Sequence, residues 1–165
     1  MDSWDFEASW STSLKVISIS ATLLLVAIPI FMALERDLPP VEMTLLAALP
    51  ILVLGSTLLF TVRGYSLSGG FLLVRRLLWT TRVDLSGLRS ARVDPDAMKG
   101  SIRTLGNGGL FSFSGRFTGR RLGPYRALVT DQTSCVVLVT DRGTVVVSPS
   151  SPESFAELAR SIIHG

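Results

Sequence analysis

The chain's 165 residues are 47% hydrophobic and only 18% charged, and a mean hydropathy of +0.45 means more apolar surface than one small soluble core absorbs. A single cysteine, Cys135, excludes an intramolecular disulfide, while His164 as the only histidine argues against structural zinc and a Ser-His-Asp triad. The net charge of +3 hides a partition: residues 1–62 balance to −4, residues 63–126 to +9 and the remainder to −2, so the basic block starts where the hydrophobic part stops.

In chain order, "WDFEASW" alternates, with Trp4, Phe6, Ala8 and Trp10 on one side and Asp5, Glu7 and Ser9 on the other. A period of two predicts a half-buried strand; an interfacial aromatic anchor competes, but an anchor does not require alternation. Residues 16–34 and 43–62 then form two runs without a formal charge. At about 1.5 Å of rise per residue, each is long enough to cross a hydrocarbon core roughly 30 Å thick. A transmembrane helical hairpin over 14–62 is therefore expected, after an N-terminal segment 1–13. A buried soluble hairpin is the competing reading. Acidic residues ahead of the first run, and a second run directly after it, argue against a cleaved signal peptide. Pro29 and Pro50 fall inside the spans, where neighbouring helices can satisfy the freed carbonyls. Lys15 flanks the first span and Arg63, Arg75, Arg76 and Arg82 follow the second, against Arg36 alone in the connection, which places both termini on the cytoplasmic side.

Past Arg63 the texture changes to short β-rich segments. "YSLSGGFLLVRRLLWTTRVDL" reads as strand, Ser-Gly-Gly turn, strand, a pivot near Arg75 and Arg76, and another strand. "LRSARV" alternates, and "DPDAMKGS" is a polar connection. "GLFSFSGRF", "YRALVT", "SCVVLVT" and "TVVVS" follow, the last two joined by the hairpin signal "DRG". At the end, Ser151 is placed to cap a helix with Pro152 at its first position, and Phe155, Leu158 and Ile162 make one apolar stripe.

From about Tyr65 to Ile163 this order of segments resembles the bacterial pleckstrin-homology-like (bacterial PH) domain that follows a two-span membrane hairpin. The resemblance is carried by "GNGGLFSFSGRF", Leu122-Gly123 before Tyr125, "ALVT", "VVLVT", "DRG" and "VVVSPSSPESFAELA". It implies an α+β membrane protein: a PH-like β-barrel over 63–165, of two near-orthogonal antiparallel sheets closed by a C-terminal helix. It implies no catalytic residues.

The stretch from Gly109 to Thr130 looks at first like a ligand motif. A nucleotide loop needs its glycines at a strand-to-helix turn, and no helix signal follows Gly106, Gly108, Gly109, Gly115, Gly119 and Gly123, so bends and bulges of a curved sheet explain them. Phe111, Phe113 and Phe117 fall close to a period of two and suit one core-facing side of a strand better than a base-stacking surface. Cys135 reads as a buried small hydrophobe, His164 as part of a fraying terminus, and Asp94 and Asp96 as turn chemistry around Pro95. Candidate contacts to anionic lipid or a partner protein are Arg75, Arg76, Arg116, Arg120, Arg121 and Arg126. The expectation is a non-enzymatic, multi-pass protein of a bacterial inner membrane, with no cofactor, metal, nucleic acid or small-molecule substrate. Its PH-like domain would act on a protein partner or a second copy; the alternative is an anionic-lipid surface sensor.

Overall fold

The computed structural model describes residues 4–35 and 39–164. Asp2 and the connecting-loop residues Arg36 and Asp37 lie outside these, as does the side chain of His164. The alternating N-terminal segment is a strand, β1 (Trp4–Glu7), antiparallel to β2 (Gly64–Ser68) with Phe6 opposite Tyr65. Phe6 turns inward, and Trp4 stays exposed on the sheet edge.

Helix α1 (Thr12–Glu35) starts four residues before the predicted span, because the Ser11 hydroxyl caps it by accepting the Leu14 amide at 3.2 Å. Leu14 and Ser18 are buried, so its first turns rest on the domain. Helix α2 (Pro40–Leu59) stops short of the predicted end at Val62, since Thr61 and Val62 are buried by the domain, and Val62 is part of its core. Pro29 and Pro50 lie within these helices. Both helices otherwise present apolar side chains outward, from Val16 to Leu34 and from Val41 to Leu58.

The remaining strands are β3 (Phe71–Arg75), β4 (Thr80–Asp84), β5 (Leu88–Val93), β6 (Ile102–Gly108), β7 (Phe113–Gly119), β8 (Gly123–Val129), β9 (Val136–Thr140) and β10 (Gly143–Val147). They form two separate sheets, ordered β1-β2-β3-β4 and β5-β9-β10-β8-β7-β6. Two sheets are as expected, but the larger one is mixed, which corrects the expectation that both are antiparallel. The β9–β10 hairpin inserts β10 between β9 and β8, so β10 runs parallel to β8, with Val145 opposite Arg126. Strand β6 had no sequence-based prediction. Phe111, expected within the strand, instead sits in the β6–β7 turn with φ +62°.

The inner faces of the two sheets enclose a core that includes Val62, Tyr65, Leu72, Val74, Leu128 and Leu138. The C-terminal helix α3 (Pro152–His164) closes it with Phe155, Ala156 and Ala159, and Leu158 and Ile162 pack alongside. A second cluster on the other face of the larger sheet gathers Phe117, Tyr125, Ala127, Val129, Cys135 and Val137 beneath Ala97 and Met98 of the 94–101 loop. Phe113 packs against it, so Phe113 and Phe117 are core residues, as the sequence predicts.

Candidate functional site

Where the two sheets diverge, next to the end of α2, they leave a cavity of about 540 Å³. Its polar lining is Arg76, Asn107, Ser114, Arg116 and Arg126; among the described residues no acidic side chain contributes. Arg116 and Arg126 face one another across the β7–β8 ladder. Like charges directly opposite on a sheet repel, which costs stability unless an anion or solvent intervenes.

The third guanidinium belongs to the 76–79 turn between β3 and β4. Arg76 is only 9% exposed. It donates from Nε to Thr81 Oγ1 at 3.1 Å and from Nη1 to the carbonyl of Phe60, the residue that ends α2, and it lies 5.7 Å from that ring's centroid. A cation on the last carbonyl of a helix also meets the negative end of the helix dipole. Burial pulls the Arg76 pKa below the ordinary arginine value, and the charge of Arg126 pushes it the same way.

The cavity floor follows from backbone geometry. Thr104 is bulged out of register between Arg103 and Leu105, and the next cross-strand pair is Gly106 with Gly115, at φ +106° and +148°. A bulge plus two residues without side chains lets β6 and β7 curl away from the other sheet. The turn that follows Arg76 is apolar. Leu77, Leu78 and Trp79 are 44%, 74% and 39% exposed, and Trp79 packs edge-on against Phe60 at 5.1 Å. The β6–β7 turn rests on the same helix ends: the Phe111 amide donates to Ser18 Oγ at 2.9 Å and Ser112 Oγ to the Phe60 carbonyl at 3.4 Å.

The six arginines singled out in the sequence are thus divided. Arg76, Arg116 and Arg126 converge on the cavity. Arg75 is spent on Asp5 of β1 at 3.5 Å. Arg120 and Arg121 lie in the β7–β8 turn at the far end of that ladder, where Arg121 pairs with Asp94 at 3.2 Å. Sequence reasoning missed the exposed apolar Leu77-Leu78-Trp79 turn, although "RRLLW" announces it by setting apolar residues directly after two cations.

A second polar centre lies beside the α1 attachment. Tyr65 donates its hydroxyl to the Leu128 carbonyl at 2.6 Å and accepts the Ser148 amide at 3.2 Å; Ser148 Oγ accepts the amides of Thr130 and Asp131 at 2.8 and 3.1 Å. Thr130 Oγ1 donates to the Ser9 carbonyl, and Ser9 Oγ to Asp131 at 3.1 Å. Burial pushes the Tyr65 pKa up to about 12. Burial also pushes the Cys135 thiol up to about 12, with Asp131 and Asp94 adding to the effect, so it is a neutral thiol and no nucleophile. Among the described residues, no group of three or more His, Cys, Asp or Glu is placed to hold a metal ion.

Two sheets packed around one core and closed by a C-terminal helix define a PH-like domain. The chain belongs to the bacterial PH domain family, whose model matches residues 63–162. Comparison with curated proteins and with solved structures gave no match.

Proposed function

We propose that this chain is a non-enzymatic integral membrane protein of a bacterial inner membrane, in which α1 and α2 hold the PH-like domain against the cytoplasmic leaflet as a protein-interaction or assembly module. The observation that carries the reading is the exposure of the two helices. Only 6% of the most apolar stretch of each is buried, which a core helix of a soluble protein does not tolerate. Their 24 and 20 residues correspond to about 36 and 30 Å, enough for the hydrocarbon core. Basic residues beside the domain ends of both helices support cytoplasmic termini.

The faces away from the helices suit a protein partner. Strand β1 ends the smaller sheet; the 148–150 segment closes its outer edge at Glu7, whose carbonyl accepts the Ser150 amide at 2.9 Å, and beside it lies a groove lined by Trp4, Glu157 and Leu158. The second reading, contact with anionic lipid, is favoured by the acid-free cavity at the end of α2.

The test is fractionation with topology mapping. The full chain is expected to stay with membranes through an alkaline wash, and a C-terminal reporter active only outside the cytoplasm is expected to be silent. Release by the wash overturns the anchoring, and an active reporter overturns the cytoplasmic placement of the domain. A photo-crosslinker at Trp4 or Glu157 is expected to trap a protein partner or second copy; trapping none counts against the interaction role.

A further inference from the structure

We propose that the cavity at the end of α2 binds the phosphate of an anionic phospholipid headgroup, with Arg116 and Arg126 as its principal ligands and Arg76 as a third cation. The inference rests on the membrane reading above and assigns the lipid contact to one place. Three observations carry it.

First, the charges are uncompensated. Among the described residues none of the three guanidinium groups is in an ion pair, whereas Arg75, Arg89, Arg92, Arg121 and Arg142 all have acidic partners. Arg116 and Arg126 are held opposite each other by strand register, and a phosphate between them turns that repulsion into two bidentate contacts. Second, donors are left over. Arg76 uses two of its five N–H groups, on Thr81 and Phe60, which fixes the side chain and leaves three free. Third, depth and rim fit a lipid. Phe60 ends a helix long enough to span the hydrocarbon core, so the cavity opens at headgroup level, with Phe60 and the exposed Leu105 in its lining and Trp79 packed against Phe60. An apolar rim next to a phosphate-binding floor matches a headgroup with its acyl chains and gives a soluble phosphate nothing extra.

The test uses the full chain purified in a neutral detergent and titrated with phosphatidylglycerol, with phosphatidylcholine as the zwitterionic comparison and glycerol phosphate as the soluble one; bound ligand is counted by native mass spectrometry. Arg116→Gln/Arg126→Gln is expected to weaken phosphatidylglycerol binding about thirtyfold, two near-surface charges' worth. Lys99→Gln/Arg120→Gln removes the same charge from the far end and is expected to leave binding unchanged. Arg116→Lys/Arg126→Lys keeps the charge without the planar fork and is expected to fall between, and it carries the test if the Gln pair does not fold. Equal losses in the near and far pairs, or no loss in either, overturn the site. Glycerol phosphate binding as tightly as the lipid overturns the lipid assignment. Wild type washed off membranes at alkaline pH defeats the anchoring itself; wild type retained, with the Gln pair binding normally, defeats the site alone.

Discussion

Gly106 and Gly115 show at residue scale why a glycine-rich stretch resembles a ligand motif without being one. A Cβ on Gly106 would collide with the Ser114 carbonyl oxygen, and one on Gly115 with that of Leu105, at backbone angles that L side chains rarely adopt. Gly115→Ala is therefore expected to cost more than about 1 kcal/mol, seen as a lower melting temperature of the full chain in detergent; an unchanged melt would refute the close approach. The sequence-level assignment of glycines to bends and bulges applies here, because the signal is the absence of a helix after them. What stayed hidden was the pairing of these two across a ladder, which depends on register. Cys135 makes the opposite point, since an apolar strand already predicts its burial. With its pKa raised to about 12, the folded chain is expected to resist iodoacetamide at pH 8 and to react once denatured. The same shift makes the folded state the tighter proton binder above the ordinary thiol value of about 8.5. Stability is thus expected to fall as pH rises from there toward 12, measured by thermal melts across that range.

Helix α3 carries the clearest lesson at element scale, because its period of 3.6 selects the residues that contact the core. Phe155 is fully buried and packs edge-on against Phe6 at 5.2 Å and Tyr65 at 6.3 Å, joining α3, β1 and β2. Phe155→Ala is expected to cost about 3–5 kcal/mol, a large share of a typical domain's 5–15. Amide exchange of β1 should quicken with it, since this ring packs on Phe6 at the centre of β1; a destabilised variant with β1 still protected would show that α3 and β1 are independent. Strand β6 was illegible for an equally physical reason. Almost every residue of "IRTLGNG" is exposed on an outer strand, so no face imposes alternation. The parallel β8–β10 pair escaped too, because strand order follows from how a hairpin inserts and local pattern carries no trace of it.

At the scale of the whole molecule, what matters is how the domain is held to its helices, and residues 8–11 do this by hydrogen bonding. The Ser9 amide donates to the Ser148 carbonyl at 3.3 Å, the Ser11 amide to that of Thr130 at 3.4 Å, and Asp131 accepts from Ser9, Thr133 and Ser134. Burial raises the Asp131 pKa, but the bonds from Thr133, Ser9 and Ser134 outweigh it and leave the carboxyl below its ordinary value. A folded pKa below the unfolded one means that the contribution is intact above about pH 4 and fades as pH falls through the folded value. Asp131→Ala strands several donors, and part-buried donors without partners cost about 1–3 kcal/mol. The variant is therefore expected to speed amide exchange at Ser9 and Ser11 at neutral pH while leaving β9 and β10 protected, and wild type should approach it on acidification below pH 4. Exchange at Ser9 and Ser11 that ignores both the substitution and acid would mean that the linker is held without Asp131. The attachment bears on the proposed lipid site as well. Two anchors, residues 8–18 leading into α1 and the Arg76–Phe60 bond at the end of α2, fix the domain so that its cavity opens beside the helix end. Loosening the first should blunt phosphatidylglycerol binding even with all three arginines in place.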